Sequence, residues 1–98
     1  MLEQSTDISM QIQEVAVTNP LGLHARAGAK IVEVASRFPC NVSLLAKGRR
    51  ASARSIVAIM LLSASAGTLV QLEADGPEEA AAVREIATLF SNGFGELP

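Results

Sequence analysis

Apolar and polar positions along this 98-residue chain change period several times, and each change marks an element. Gln13, Val15 and Val17 alternate with Glu14, Ala16 and Thr18, the twofold period of a half-buried strand. Asn19-Pro20-Leu21-Gly22 interrupts it with turn-forming residues. From Ala25 the period becomes helical: Ala27, Ile31, Val34, Ala35 and Phe38 share a face. Pro39 predicts the end at Phe38, because proline disfavours helical geometry in the residue before it. Asn41 to Ala46 alternates again, with Val42, Leu44 and Ala46 on one side. Lys47-Gly48 reads as a turn and Arg49 to Ala53 as a short polar edge strand. Ser55 is placed to cap a helix over Ile56 to Leu62, which is apolar nearly all round and so predicts a helix wedged between other surfaces.

After the small-residue loop Ser63 to Gly67, Thr68 to Ala74 predicts a strand with Val70, Leu72 and Ala74 inward. Asp75-Gly76-Pro77-Glu78-Glu79 starts the last helix, with Pro in its first turn and two carboxylates facing the helix dipole. Val83, Ile86, Ala87 and Phe90 form its buried stripe, and Gly93 ends it. The order β-α-β-β-α-β-α predicts an α+β fold, a two-layer open-faced sandwich with helices on one face of an antiparallel sheet. Residues 1–9 read as a flexible N-terminal extension and residues 10–98 as a single domain.

Composition narrows the function. Apolar residues make up 49% of the chain, enough for one core, and the net charge of -2 offers no broad basic surface for nucleic acid. Three Phe are the only aromatic residues, too few for a base-stacking sheet. The longest apolar run, Ile56 to Leu62, is far shorter than the ~20 residues of a membrane span. The N-terminus has no basic segment of the signal-peptide kind, so a cytoplasmic location is expected. Cys40 is alone, without metal-ligand spacing around it, and reads as a small core residue at the start of a strand. No metal and no cofactor is expected.

One stretch carries chemistry. In Gly22-Leu23-His24-Ala25-Arg26 the single histidine stands where an extended segment becomes a helix. The first amides of a helix have no intrahelical partner, and they share the positive end of the dipole. An anion is held well there, and Arg26 adds a cationic fork beside it. A lone His in this place is by default only a polar N-cap, so the identity of its neighbours decides.

Those neighbours resemble the active-centre motif of HPr, the histidine-containing phosphocarrier family of the bacterial phosphotransferase system. A second match lies thirty-one residues downstream, where Ala53-Arg54-Ser55-Ile56 resembles the regulatory-serine segment of the family. The resemblance runs from about Val15 to Gly95. Ser55-Ile-Val-Ala-Ile-Met-Leu-Leu and Leu89-Phe-Ser-Asn-Gly-Phe look closer to the nitrogen-related branch, NPr, than to the sugar-transport branch.

The resemblance implies a four-stranded sheet in the order 1-4-2-3 under three helices. It implies a phosphoryl carrier rather than an enzyme. His24 would accept phosphate from phospho-enzyme I, ultimately from phosphoenolpyruvate, and pass it to an EIIA-type acceptor. Arg26 would neutralise charge, and the amides of Ala25, Arg26 and Ala27 would hold the oxygens. Ser55 would be the target of an HPr kinase/phosphorylase in an organism that has one. Ala25, Ala29, Ile56, Val57 and Met60 match family docking positions, and the protein would be a monomer.

Two departures from the family pattern stand out: Ala27, followed by Gly28, stands where Pro is usual, and several lysines common on the family's docking face are absent, with Glu33, Ser36 and Ala58 in that region. Arg49, Arg50 and Arg54 form a small basic cluster near Ser55, open to an acidic partner. The main alternative is an HPr-like regulatory protein that docks through the helix at 55–62 without carrying phosphate. An independent enzyme is disfavoured, because no second His or convergent carboxylate pair accompanies His24 in the sequence.

Overall fold

The alternating segments become strands whose inward side chains form one floor. In the computed structural model, which describes residues 10–96, β1 spans Gln11–Ala16, β2 Asn41–Ala46, β3 Arg49–Ser52 and β4 Leu69–Asp75. All pairings are antiparallel and the sheet order is β1-β4-β2-β3, as the resemblance implies. The expectation for residues 1–9 lies outside the described residues. Register follows the hydrophobic pattern: Leu72 faces Leu44 on one side and Gln13 on the other, while Val70 faces Val15. A slip by one residue would turn Val42, Leu44, Val70 and Leu72, all buried, out of the core. β1 is an edge strand, and only its last residues are half-buried, so the expected burial holds at that end alone.

Three helices cover this floor: α1 (Ala25–Ala35), α2 (Ile56–Leu61) and α3 (Glu79–Ser91). Ile31, Ile59, Ile86 and Phe90 are fully buried between helices and sheet. α1 ends at Ala35, earlier than the predicted Phe38. The chain tightens there into i→i−3 bonds, from Arg37 N–H to the Val34 carbonyl and from Phe38 N–H to that of Ala35. The Arg54 guanidinium gathers the carbonyls of Ala35, Phe38 and Cys40, at 3.4, 2.6 and 3.2 Å.

α3 also starts later than predicted. Pro77 lies outside the helix, Glu78 is its N-cap in a left-handed conformation, and Glu79 alone supplies acid to the first turn. The Glu79 carboxylate reaches back to accept the Gly76 N–H at 2.9 Å. At its other end, Gly93, Phe94 and Gly95 all take positive φ, which coils the chain back towards α1. A left-handed Phe costs ~1–2 kcal/mol. Burial of its ring edge-on against Phe90, with centroids 5.0 Å apart, offsets that cost. Lys30 Nζ donates to the Phe94 carbonyl and ties the returning segment to α1.

α2 corrects the expectation of a wedged helix. Ile59 is buried, but Ile56, Val57, Met60 and Leu61 are 37, 66, 42 and 60% exposed. The helix packs on one side, against α1 and β3, and its other apolar side faces solvent.

Candidate functional site

The loop before α1 sets the position of His24. Gly22 has φ +72°, and a Cβ there would lie 2.5 Å from the Ala64 carbonyl oxygen, so only glycine fits the close approach. Next to it, Leu23 N–H donates to that same oxygen at 3.0 Å. Buried Asn19 closes the turn from inside, its Nδ2 donating to the Gly22 carbonyl at 2.8 Å. The chain thus enters α1 at one height and one angle.

His24 is the N-cap of α1, in extended conformation, with its carbonyl accepting the first helical bond from Gly28 at 2.9 Å. Its Nδ1 accepts from the Arg26 N–H at 3.3 Å. The ring nitrogen therefore points at the positive end of the helix, where the amides of Ala25 and Ala27 precede the intrahelical series. Arg26 is exposed, and among the described residues its guanidinium has no hydrogen-bond partner. His24 keeps 28% of its side-chain exposure. A partly exposed imidazole, helix-start amides without intrahelical partners and a guanidinium with no hydrogen-bond partner among the described residues can together hold a tetrahedral anion.

One side chain at the site was not legible in sequence. Glu96, 72 positions away, places Oε2 2.5 Å from His24 Nε2. Its Oε1 accepts from Asn19 Nδ2 at 3.0 Å. The hydrogen bond from Asn19 holds its carboxyl below the usual range; burial opposes this, and the His24 bond and the charge of Arg26 reinforce it. The ring thus stands between a helix N-terminus and a carboxylate. Only the left-handed run Gly93–Gly95 brings Glu96 there, and no local spacing announces it.

The two motifs meet at one end of the helical layer. A Cβ on Gly28 would lie 3.5 Å from Ile56 Cγ2 and 3.7 Å from Ile59 Cγ2, so the start of α2 rests against the first turn of α1. Ser55 is the N-cap of α2, and its Oγ accepts from the Ala58 N–H at 3.1 Å. The expected docking residues Ala25, Ala29, Ile56, Val57 and Met60 are all exposed, and Ala27, expected to offer its amide to phosphate, has a buried side chain. Leu21, Leu23, His24, Met60, Ser63 and Ala64 line a shallow depression of about 320 Å³ that joins the histidine to the apolar face of α2. A larger hollow of about 500 Å³ on the open face of the sheet contains none of these groups.

The basic cluster is not a free patch. Arg54 caps the end of α1, Arg49 donates to the Leu61 carbonyl at 3.2 Å, and Arg50 pairs with Glu73 at 3.1 Å. Cys40 is buried, and that burial pushes its thiol up, away from redox reactivity. Among the described residues no group of three or more His, Cys, Asp or Glu could hold a metal ion, and no helix is long and apolar enough to cross a membrane.

Known proteins resemble this chain in sequence and in fold. Residues 12–92 match the family model described as the PTS HPr component phosphorylation site. The chain is 48% identical over 83 residues to phosphocarrier protein HPr of Xylella fastidiosa strain Temecula1, covering 85% of this chain and 93% of that protein. It is 42% identical to the HPr of Cupriavidus necator over 84 residues, 86% of this chain and 94% of that one. Among solved structures, HPr-C-His from Thermoanaerobacter tengcongensis superposes with a TM-score of 0.85 at 33% identity, covering 90% of this chain and 99% of the other.

Proposed function

This chain belongs to the HPr family of phosphocarriers of the phosphotransferase system, and on that premise we propose that His24 carries the phosphoryl group, taking it from phospho-enzyme I and handing it to an EIIA-type acceptor. The observation that supports this most is the geometry at the start of α1: His24 Nδ1 faces the Arg26 amide in the first helical turn, and the guanidinium of that residue has no partner among the described residues. The Nδ1 lone pair forms the N–P bond, and the nitrogen of the donor leaves with the electrons of the bond that breaks. Little covalent help is needed, because phosphoryl transfer proceeds through a loose transition state that calls for positioning and charge stabilisation.

Arg26 supplies positive charge to the phosphoryl oxygens, and the amides of Ala25, Arg26 and Ala27 donate to them. Ala27 matters because the proline usual at this position has no N–H to give. The protein is then a stoichiometric carrier, turned over by its partners. Docking uses Ala25, Ala29, Ile56, Val57 and Met60, where an exposed methionine adapts to more than one partner. A kinase acting at Ser55 would place about -1.5 to -2 charges beside that apolar face and weaken docking.

Incubation with enzyme I and phosphoenolpyruvate, followed by intact mass and phosphosite mapping, tests the reading. One phosphoryl group, labile to acid, should appear on His24, and Arg26→Ala should accept it far more slowly while staying folded. Labelling of His24→Ala to the same extent would refute the assignment. A chain that docks partners yet never takes phosphate would instead be the regulatory protein of the alternative reading.

A further inference from the structure

The contacts around the imidazole leave one protonation arrangement. Nδ1 faces a donor, the Arg26 N–H at 3.3 Å, so Nδ1 must present its lone pair. Nε2 faces an acceptor, Glu96 Oε2 at 2.5 Å, so Nε2 must carry the proton. Neither the other neutral tautomer nor the imidazolium satisfies both neighbours, since each would set two donors against each other at Nδ1. Glu96 is itself held: Oε1 takes the Asn19 amide at 3.0 Å, its side chain is only 10% exposed, and Asn19 is buried and anchored to the Gly22 carbonyl.

From this geometry we infer that Glu96 is a positioning residue for phosphoryl transfer, holding the Nε2 proton of His24 so that Nδ1 alone is the nucleophile. The inference rests on the carrier reading of His24. When Nδ1 bonds to phosphorus, the leaving nitrogen of the donor keeps the electron pair of the broken bond. The proton already on Nε2 stays there, and the ring takes up positive charge next to the Glu96 carboxylate. No proton has to enter or leave in the step. When phosphate passes on, the same events run in reverse and Nδ1 returns to the Arg26 amide. Carboxylates that orient the far nitrogen of a ligating histidine work by the same physics, fixing the tautomer and raising basicity at the other nitrogen.

The test uses the full chain labelled with 15N at His24, with Glu96→Ala and Glu96→Gln beside the wild type. Imidazole 15N spectra of the unphosphorylated protein should show a protonated Nε2 whose proton is protected from exchange. Glu96→Ala should lose that protection and take phosphate from phospho-enzyme I about tenfold more slowly. Glu96→Gln keeps an acceptor carbonyl, so it should retain the protected proton and recover part of the rate. The inference is overturned by an unprotected Nε2 proton in the wild type, or by Glu96→Ala transferring as fast as the wild type or faster. Faster transfer would make Glu96 a lock on the site instead. Because the spectra need no phosphate donor, a wild-type chain that shows the protected proton but never takes phosphate would refute the carrier reading alone.

Discussion

Adding a single methyl at Gly22 should damage the protein more than the same change at Gly48, although both glycines have positive φ, +72° and +77°. Each alanine variant forces an L side chain into left-handed backbone, at ~1–2 kcal/mol. At Gly48 nothing lies within 4 Å of the new Cβ, so the cost stops there. At Gly22 the Cβ would sit 2.5 Å from the Ala64 carbonyl oxygen and 3.0 Å from Ser65 Cα, both backbone atoms that cannot rotate away. The two segments must part, and the bond from buried Leu23 N–H to Ala64 O, now 3.0 Å, lengthens out of range.

Stranding that buried amide costs a further ~1–3 kcal/mol. Gly22→Ala should therefore lose ~2–5 kcal/mol, and Gly48→Ala only the ~1–2 kcal/mol of its backbone. Urea unfolding of the two variants with the wild type measures the difference. The same shift displaces the entry to α1, so amide resonances of Leu23, His24 and Arg26 should move in Gly22→Ala and stay put in Gly48→Ala. Equal losses of stability in the two variants would show that the close approach at Ala64 carries no energy, and the account of how His24 is positioned would fail.

Other substitutions probe separate parts of the structure. Gly28→Ala should raise the thermal midpoint by the equivalent of up to ~1 kcal/mol, because a helical Gly→Ala change gains about that much. Its Cβ meets Ile56 and Ile59 at ordinary contact distances of 3.5 and 3.7 Å; a fall in the midpoint would mean that the α1–α2 approach needs the bare backbone. Ser55→Ala should cost ~1 kcal/mol in urea unfolding through loss of the cap on Ala58 N–H, and an unchanged midpoint would remove that role. Because the Glu96 carboxyl lies below the 4.5 of an unperturbed Glu, its contribution to stability is complete above that value and is lost as pH falls through the lower folded value. A carboxyl 13C titration should find the Glu96 midpoint below 4.5, and a midpoint at or above it would contradict the Asn19–Glu96 bond.

Features that depend on near neighbours were legible along the chain. The alternation of Val42, Leu44 and Ala46 and of Val70, Leu72 and Ala74 made strands with those faces buried, because a twofold side-chain period has no other way to hide one side. Ser55 as a cap and the extended-to-helical change at His24 were equally legible, since capping is settled within one turn. The helix ends at Ala35 and Glu79 moved from their predicted places because Arg54 and the Glu79 carboxylate gather backbone groups that a local pattern leaves unassigned. The exposed face of α2 was decided by packing: an all-apolar helix at the rim of a small domain has only one layer to lie against. Glu96 belongs wholly to the tertiary structure. A carboxylate 72 residues from His24 becomes its partner only because Gly93, Phe94 and Gly95 coil back over the buried Phe94 ring, and side-chain chemistry acts across space without regard to separation along the chain.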